Sequence, residues 1–318
     1  MPLVKIFFLS FVSIACFALD TQKKQLAYLA SDTSIPYWEI MSKGINAQAK
    51  KLGYEVSLYN ANNILKNELK NTVEALRSKV DALIISPVSS SSAVTVLKLA
   101  QRAQIPVVIS DIGADSDEYI SYIAADNRQG AYALGQILAK KMHQLKWQDG
   151  SVGIIAIPQK RANGKARTAG FLEAMQEAEI QTSGLYQQVD FSYKETYNYA
   201  KKLIAEDPKL RALWLQGSDK YKGALDAISD ADKEGEILLV CFDAEPEFLE
   251  MIPRGELVGA AMQQPFLMGE KAVELVDAHL HNKKVQKKVL IPILPISQEN
   301  IQSSLPLIKR NVLGLQSN

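Results

Sequence analysis

The feature that most restricts the fold is an alternation of short apolar runs with longer stretches of helical periodicity, repeated from about residue 24 to residue 280. The first unit shows the pattern. Residues 26–30 form a buried-strand sequence, a polar turn follows, and from Pro36 apolar residues recur at helical spacing until Gly53, which is placed to end a helix. Strands that alternate with helices of about ten to fifteen residues require parallel sheets with right-handed crossovers. We therefore predict an α/β fold.

The number of these units indicates two domains. Residues 23–125 and 126–260 each contain a full set of strand–helix units, which together are too many for one sheet of ordinary size. A chain of 318 residues that is 47% hydrophobic also exceeds what one compact core usually holds. We predict two doubly wound lobes that face each other across a cleft, with the tail beyond Pro292 packing back onto one of them.

The first eighteen residues differ in kind from the rest. Lys5 precedes an apolar run over residues 6–17 that is too short for a comfortable membrane span, and small residues stand before the polar Asp20. We predict a cleavable signal peptide over residues 1–18 and export to the periplasm. The alternative is a lipoprotein signal acylated at Cys16, although Ser13 stands where such signals usually carry leucine.

Charge and cysteine content exclude some classes of protein. Removal of the signal peptide takes away only Lys5 and leaves equal numbers of acidic and basic side chains, without a long block of either sign. Nothing in this pattern is typical of a nucleic-acid binder. Cys241 is then the last cysteine in the mature chain, in a strand-like run, so we predict an inert core thiol and no intramolecular disulfide.

Polar and aromatic side chains collect in the turns that follow the predicted strands. In open α/β sheets the carboxyl ends of the strands are where ligands bind. Aromatic rings stack on the apolar faces of a small hydroxyl-rich ligand, while carboxylates, amides and a guanidinium hydrogen-bond its hydroxyls. Any one of these residues alone could instead fill core, cap a turn or lie on a solvated face. The candidate ligand-binding residues are Ser31, Tyr37, Trp38, Ser86, Asp111, Asn163, Arg167, Phe191, Asp243 and Gln263.

Signals for catalysis are weak. The three histidines, His143, His279 and His281, do not stand at strand ends, and no pair has metal-ligand spacing. No nucleophile elbow, phosphate-binding loop or dinucleotide fingerprint occurs, and paired carboxylates fall on predicted helix surfaces. We predict a protein that is not an enzyme and uses no cofactor or metal.

Several runs together resemble the periplasmic sugar-binding proteins of the ribose/galactose type. They occur in that family's order over residues 24–298. The runs are 36–38 (PYW), 51–54 (KLGY), 80–88 (VDALIISPV), 103–108 (AQIPVV), 123–127 (IAADN), 167–171 (RTAGF), 242–243 (FD) and 262–265 (MQQP).

The resemblance implies a fold and a site. It implies a type I periplasmic binding protein with two Rossmann-like lobes joined by a three-stranded hinge that close on the ligand. The N-terminal lobe would comprise residues 23–125 plus 264–292, and the C-terminal lobe residues 126–263 plus 293–318. The family's ring-stacking positions fall on Tyr37, Trp38 and Phe191, and its hydroxyl-binding positions on Asp111, Arg167, Asp243 and Gln263.

The chain departs from the ribose-type pattern at four polar positions. Ile35, Ser86 and Gly217 stand where the pattern has asparagine, and Ile112 stands where it has arginine. We therefore expect a pocket that is roomier and less polar than a ribose pocket. Another sugar, or a small signal such as autoinducer-2 or trimethylamine oxide, remains open as the ligand.

The implied function is a monomeric periplasmic receptor that delivers a monosaccharide or similar ligand to the permease of an ABC transporter. The alternative is a sensory receptor that signals to a membrane histidine kinase or chemoreceptor, and the long tail over residues 295–318 mildly favours it. A repressor of related architecture would need a DNA-binding segment where the signal peptide stands.

Overall fold

The computed structural model describes residues 24–315, so the predicted signal peptide and Cys16 lie outside it. The first half of the chain contains β1 (Gln25–Ala30), α1 (Pro36–Leu52), β2 (Glu55–Asn60), α2 (Leu65–Arg77), β3 (Ala82–Ile85), α3 (Ser90–Arg102), β4 (Val107–Ser110) and β5 (Ser121–Ala125).

The second half repeats this order and adds a tail. It contains α4 (Asn127–Gln144), β6 (Ser151–Ala156), α5 (Ala162–Glu177), β7 (Gln181–Gln187), α6 (Tyr193–Glu206), β8 (Leu210–Leu215), α7 (Tyr221–Ser229), β9 (Leu238–Phe242), α8 (Phe248–Arg254), β10 (Gly259–Met262), α9 (Pro265–Leu280), β11 (Lys288–Ile291), β12 (Leu294–Ser297), α10 (Ile301–Leu307) and a π-helical turn, Ile308–Val312.

Within the described residues these strands form two six-stranded sheets with equivalent strand orders. The first runs β11-β5-β4-β3-β1-β2 and is parallel throughout. The second runs β12-β10-β9-β8-β6-β7, and only the edge strand β12 is antiparallel to its neighbour. We call the units built on these sheets the first and second lobes. The predicted pair of doubly wound α/β lobes is confirmed.

Three connections pass between the lobes: from β5 to α4, from β10 to α9, and from β11 to β12. They give the three-segment hinge that the family resemblance implied. Because α9 follows a strand of the second sheet but packs on α1, the chain returns to the first lobe there. In both lobes the carboxyl ends of the parallel strands face the cleft between the lobes, where ligands bind in open α/β sheets.

The central strands are buried on both faces, which explains their continuous apolar sequences. In the first lobe, Tyr28 and Met41 belong to a core on the α1 and α9 side of the sheet, and Leu83 and Val96 to a core on the other side. Cys241 lies in the core of the second lobe as a free thiol, as predicted. None of the helices in the described residues has the length and apolar character needed to cross a membrane.

Helix α4 begins at Asn127, because the Asp126 side chain accepts a hydrogen bond from the Gln129 N–H and caps the helix there. Helix α7 begins at Tyr221.

The tail packs on the second lobe, as predicted, and its last turn also contacts α9 of the first lobe, where Arg310 Nη2 donates to the Glu270 carboxylate at 2.8 Å. Strand β12 pairs with β10, and Ile301, Ile308 and Val312 are buried in the core that lies on that side of the second sheet. Pro306 interrupts α10, and the chain continues as a π-helical turn. The extra length therefore has a packing role in the fold.

Candidate functional site between the lobes

Two aspartates occupy equivalent positions in the two lobes. Asp111 directly follows β4, and Asp243 directly follows β9, the corresponding strand of the second sheet. Both have left-handed backbone conformations, with φ of 68° and 69°. The N–H of each donates to the adjacent strand, to Ile123 O and to Ala261 O, at 2.9 Å in both cases. Aspartate is among the few residues that adopt this conformation at small cost, so each sheet ends with a carboxylate in the cleft.

The Asp111 carboxylate is held by both lobes. Its Oδ1 accepts a hydrogen bond from the Tyr37 hydroxyl at 3.2 Å, and its Oδ2 accepts one from Asn163 Nδ2 at 3.3 Å. Asn163 belongs to α5, so the second contact crosses the cleft. Burial raises the pKa of Asp111 from 3.8 to about 6, although the Arg167 guanidinium opposes the shift. A desolvated carboxylate of this kind is a strong acceptor for ligand hydroxyls.

The Asp243 carboxylate has partners of its own. Gln263 Nε2 donates to Oδ1 at 2.6 Å, and Arg167 Nη1 lies 3.5 Å from Oδ2. Burial raises the pKa of Asp243, and the positive charge of Arg167 opposes that shift. Gln263 Oε1 also lies 3.4 Å from the Tyr37 hydroxyl, whose single proton can go to it or to Asp111 Oδ1, so the two aspartates are grouped around one hydroxyl.

Arg167 is held in place by contacts within the second lobe. Its Nε donates to Asn127 Oδ1 at 2.8 Å, its Nη1 donates to the Gln216 carbonyl at 2.5 Å, and the guanidinium lies 3.8 Å above the Phe242 ring. The side chain is only 3% exposed. The solvated helix face that the sequence left open for this residue is therefore excluded, and the guanidinium is pre-oriented in a desolvated site.

Aromatic rings reach the cleft from both lobes. Pro36 opens α1, which places Tyr37 and Trp38 in its first turn with their rings edge to face at 4.8 Å. Phe191 follows β7 with a left-handed φ of 56°, and its N–H donates to Glu195 Oε2 at 2.9 Å. Such a conformation is strained for a bulky residue and points to a constraint at this position.

These side chains surround one cavity between the lobes. Eight of the predicted site residues line it, namely Tyr37, Trp38, Asp111, Asn163, Arg167, Phe191, Asp243 and Gln263. Six further residues line it as well, namely Ile35, Ile157, Arg161, Gln188, Gly217 and Asp219. We call this space the main cavity.

The structure places Ser31 and Ser86 outside the lining of the main cavity. Both are fully buried inside the first lobe. The Ser31 hydroxyl donates to Asn63 Oδ1 at 2.8 Å, and the Ser86 hydroxyl lies 3.1 Å from the Tyr28 hydroxyl and 3.5 Å from Met41 Sδ. Neither side chain is among those that line the main cavity, and their role as ligand contacts stays a prediction.

Arg161 is the most informative residue that the sequence interpretation missed. It stands at the N-cap position of α5 in the second lobe but contacts the first lobe. Its Nε donates to the Val88 carbonyl at 3.3 Å and its Nη2 to Asn63 Oδ1 at 3.0 Å. The guanidinium is also 5.5 Å from the centre of the Phe191 ring. Burial lowers the pKa of Arg161 to about 10, so it stays charged at neutral pH.

The sequence interpretation also missed Gln188 and Asp219, although their positions after strands could have identified them. Gln188 comes directly after β7 and Asp219 comes shortly after β8, so both stand at carboxyl strand ends. Together with Arg161 they supply polar groups to the main cavity. They lie in the same cavity lining as Ile35 and Gly217, two of the positions where the chain departs from the ribose-type pattern.

The described residues contain no group of three or more His, Cys, Asp or Glu side chains arranged to hold a metal ion. The histidines, all of which lie within residues 24–315, do not line the main cavity. The aromatic rings and charged side chains that line the cavity can stack on a ligand and form charge-assisted hydrogen bonds with it.

Comparisons with known proteins agree with this architecture. The family described as the periplasmic binding protein domain matches residues 26–284. The ribose import binding protein of Bacillus subtilis is 29% identical over 259 residues, covering 81% of this chain and 82% of that protein. The D-allose-binding periplasmic protein of Escherichia coli is 25% identical over 272 residues, covering 82% and 86%.

A solved structure has the same fold. The carbohydrate transporter solute binding protein of Agrobacterium radiobacter, in complex with D-arabinose, superposes with a TM-score of 0.83 at 22% identity. The match covers 92% of this chain and 99% of that one.

Proposed function

The chain belongs to the periplasmic binding protein domain family, and we propose that it captures a monosaccharide or a similar small polyhydroxylated ligand for an ABC transporter. The observation that carries this proposal is the main cavity, where Asp111 and Asp243 face the same space from opposite lobes beside aromatic rings. The names of the relatives, which bind ribose and allose, support it.

The mechanism that we propose is a shift of population towards a closed form. The ligand stacks on Trp38 and Phe191, which come from different lobes, and its hydroxyls hydrogen-bond Asp111, Asp243 and the Arg167 guanidinium. All of these contacts exist together only when the lobes are closed. Binding therefore favours the closed form by the difference in affinity between the two states.

The setting that we propose follows from the family and the sequence. The mature protein acts in the periplasm as a monomer, after export on the predicted signal peptide, and its closed form delivers the ligand to a membrane permease. No catalytic step belongs to this role. The tail does not add support for a sensory function, because it packs on the second lobe.

A thermal-shift screen against pentoses, hexoses, polyols and small signals tests the proposal. A ligand that binds only the folded form at 100 times its Kd stabilises it by about 2.7 kcal/mol, so a cognate sugar should raise the melting temperature clearly. The Asp243→Asn protein is the control and should lose most of the shift. A shift with autoinducer-2 or trimethylamine oxide, and with no sugar, would contradict transport of a sugar and favour the sensory function.

A further inference from the structure

Arg161 reaches from the second lobe to the first and uses only part of its guanidinium to do so. The residue is held at the beginning of α5, where its N–H donates to the Pro158 carbonyl at 3.0 Å and its carbonyl accepts the Lys165 N–H at 3.2 Å. In the first lobe, Nε donates to the Val88 carbonyl and Nη2 donates to Asn63 Oδ1. The third nitrogen, Nη1, has no hydrogen-bond partner in the described part of the chain.

This third nitrogen still reaches open space. Within residues 24–315, polar side-chain atoms sealed inside the protein without a partner belong to Glu68, Ser90, Ser110 and Trp214, and Arg161 Nη1 is not one of them. The Arg161 side chain as a whole is only 7% exposed, and it lines the main cavity. The open space next to Nη1 is therefore the place where a ligand binds.

The Arg161 guanidinium is a charged donor in a desolvated position. Burial lowers its pKa to about 10, while the carboxylates of Asp111 and Glu68 in the first lobe act in the opposite direction, so the group is charged at neutral pH. Its carbon atom lies 5.5 Å from the centre of the Phe191 ring, on which we expect the sugar to stack. A buried charged donor that lacks an acceptor is costly, and a ligand beside Phe191 can supply that acceptor.

The distribution of guanidinium groups around the main cavity also differs from the ribose-type pattern. That pattern has an arginine where this chain has Ile112, and the Ile112 side chain is fully buried and does not line the cavity. Both arginines of the lining, Arg161 and Arg167, come instead from α5 and its N-cap in the second lobe. Arg161 therefore brings to the cavity a second guanidinium, which the first lobe does not provide.

We propose that Arg161 binds the ligand directly as well as joining the lobes, and that its Nη1 donates to one hydroxyl oxygen of the sugar that stacks on Phe191. The inference rests on the proposed function and adds a specificity-determining residue to it. A guanidinium has donors and no acceptor, so it recognises an oxygen atom and gains nothing from a methylene group in the same place. One hydroxyl of the cognate sugar is therefore sensed by Arg161.

Deoxy sugars test this contact by isothermal titration calorimetry on the mature full-length protein. The probes are D-ribose, D-allose, D-galactose and D-glucose, each with the full set of its analogues that lack one hydroxyl group. For the parent sugar that binds, loss of the hydroxyl sensed by Arg161 should raise the Kd of the wild type about tenfold or more, as expected for one hydrogen bond to a charged group. In Arg161→Met, the parent sugar and that one analogue should bind with nearly equal Kd.

Combining variants with analogues separates a direct contact from a purely structural role. If Arg161 only joined the lobes, Arg161→Met would weaken the parent sugar and every analogue by the same factor. Asn63→Gly is the matched control, because it removes the first-lobe acceptor of Nη2, leaves Nη1 in place and tolerates the left-handed φ of 55°. It should preserve the ratio of the two Kd values. Melting temperatures show whether each variant is folded, and Arg161→Gln, a polar side chain too short to replace Nη1, is the second variant if Arg161→Met is not.

The outcomes separate this inference from the proposed function. If the folded Arg161 variant keeps the wild-type ratio for every analogue, the direct contact is overturned while the receptor function stands. If none of the parent sugars or analogues binds the wild type, the proposed function is overturned, and the role of Arg161 in sugar binding with it.

Discussion

Asp111 and Asp243 show how single residues define this site. Each ends a central strand in the left-handed region, where aspartate and asparagine are tolerated far better than most residues. Each is also buried with a raised pKa, so each is a carboxylate kept in an environment that disfavours its charge. Such an arrangement costs stability in the empty protein and is offset when a ligand supplies hydrogen-bond donors.

Asp243→Asn should weaken ligand binding by about 1.5–3 kcal/mol, because it removes a charged acceptor from a desolvated site. Asparagine also adopts the left-handed conformation, so the fold should survive; alanine would add backbone strain and confuse the result. The matched control is Asp232→Asn, the same change at an exposed residue with a similar φ of 54°. Calorimetry that finds equal affinities for Asp243→Asn and the wild type would remove Asp243 from the site.

Asp111→Asn should change stability in a pH-dependent way. Folding raises the pKa of this carboxyl from 3.8 to about 6, so between these values the folded chain holds the proton that the unfolded chain has released. The contribution of this group to the free energy of unfolding therefore falls as the pH rises from about 4 to about 6. The Asp111→Asn protein has no such carboxyl, so its free energy of unfolding should be about 1–3 kcal/mol larger than that of the wild type at pH 7. The difference should be much smaller at pH 4, and chemical denaturation at the two pH values measures it.

The same carboxyl should make binding pH-dependent. Ligand hydroxyls donate to the carboxylate form, so wild-type affinity should be up to about tenfold weaker at pH 5 than at pH 7. Asp243 and Glu245 also have raised pKa values, so the affinity of the Asp111→Asn protein should still depend on pH. We expect its affinity to change less with pH than that of the wild type. Equal slopes in the two proteins would mean that Asp111 does not face the ligand.

At the scale of elements, pairs of helices approach so closely that their contact surfaces contain glycine. Where α1 crosses α9, a Cβ at Gly44 would lie 2.1 Å from the Phe266 carbonyl oxygen, and one at Gly269 would lie 2.3 Å from that of Met41. Where α4 meets α5 in the second lobe, a Cβ at Gly170 would lie 2.0 Å from the Arg128 oxygen. These contacts set the positions of α1 and α5, which carry Tyr37, Trp38 and Arg167 into the cleft.

Gly44→Ala should destabilise the protein by about 1–3 kcal/mol, because the added methyl forces two helix backbones apart. Helix propensity alone predicts the opposite sign, since alanine is favoured over glycine by about 1 kcal/mol within a helix. Thermal unfolding without ligand measures the difference, with Gly217→Ala as a control at a position where the methyl meets only ordinary contacts. A melting temperature that rises in Gly44→Ala would show that α1 and α9 are not so close.

At the scale of the whole molecule, direct contacts already join the lobes across the cleft. Arg161 reaches from α5 to Val88 and Asn63, and Asn163 reaches Asp111. The receiving turn is itself held in place, because Glu68 Oε1 accepts the Val88 N–H at 2.7 Å. Arg161 also lowers the raised pKa of the buried Glu68 carboxyl, which gives the guanidinium a charged neighbour in the first lobe.

Arg161→Ala should shift the ligand-free protein towards an open form, because two hydrogen bonds and a charge interaction between the lobes are lost. Small-angle X-ray scattering should show a larger radius of gyration than for the wild type without ligand. Apparent affinity should fall with the closed fraction. Arg254→Ala, an exposed arginine whose ion pairs stay within the second lobe, is the matched control. Identical scattering from Arg161→Ala and the control would exclude a role for Arg161 in closure.

The order of elements and the pairing of lobes were available from the sequence, because both depend on local periodicity and on short connections. Buried parallel strands such as β3 and β4 require continuous apolar runs, and amphipathic helices between them require the crossovers observed. The rule that carboxyl strand ends meet at one edge then placed Asp111 and Asp243 in a common cleft.

Only the tertiary structure decided which side chains turn into that cleft. Ser31 and Ser86 follow strands as the aspartates do, yet their hydroxyls bond inside the first lobe. Arg161 stands on the second lobe, and its partners Asn63 and Val88 are far away along the chain. The direction of a side chain at a strand end depends on the local backbone angles. The distance between the two lobes depends on packing between residues that are far apart in sequence. The periodicity of the sequence encodes neither of them.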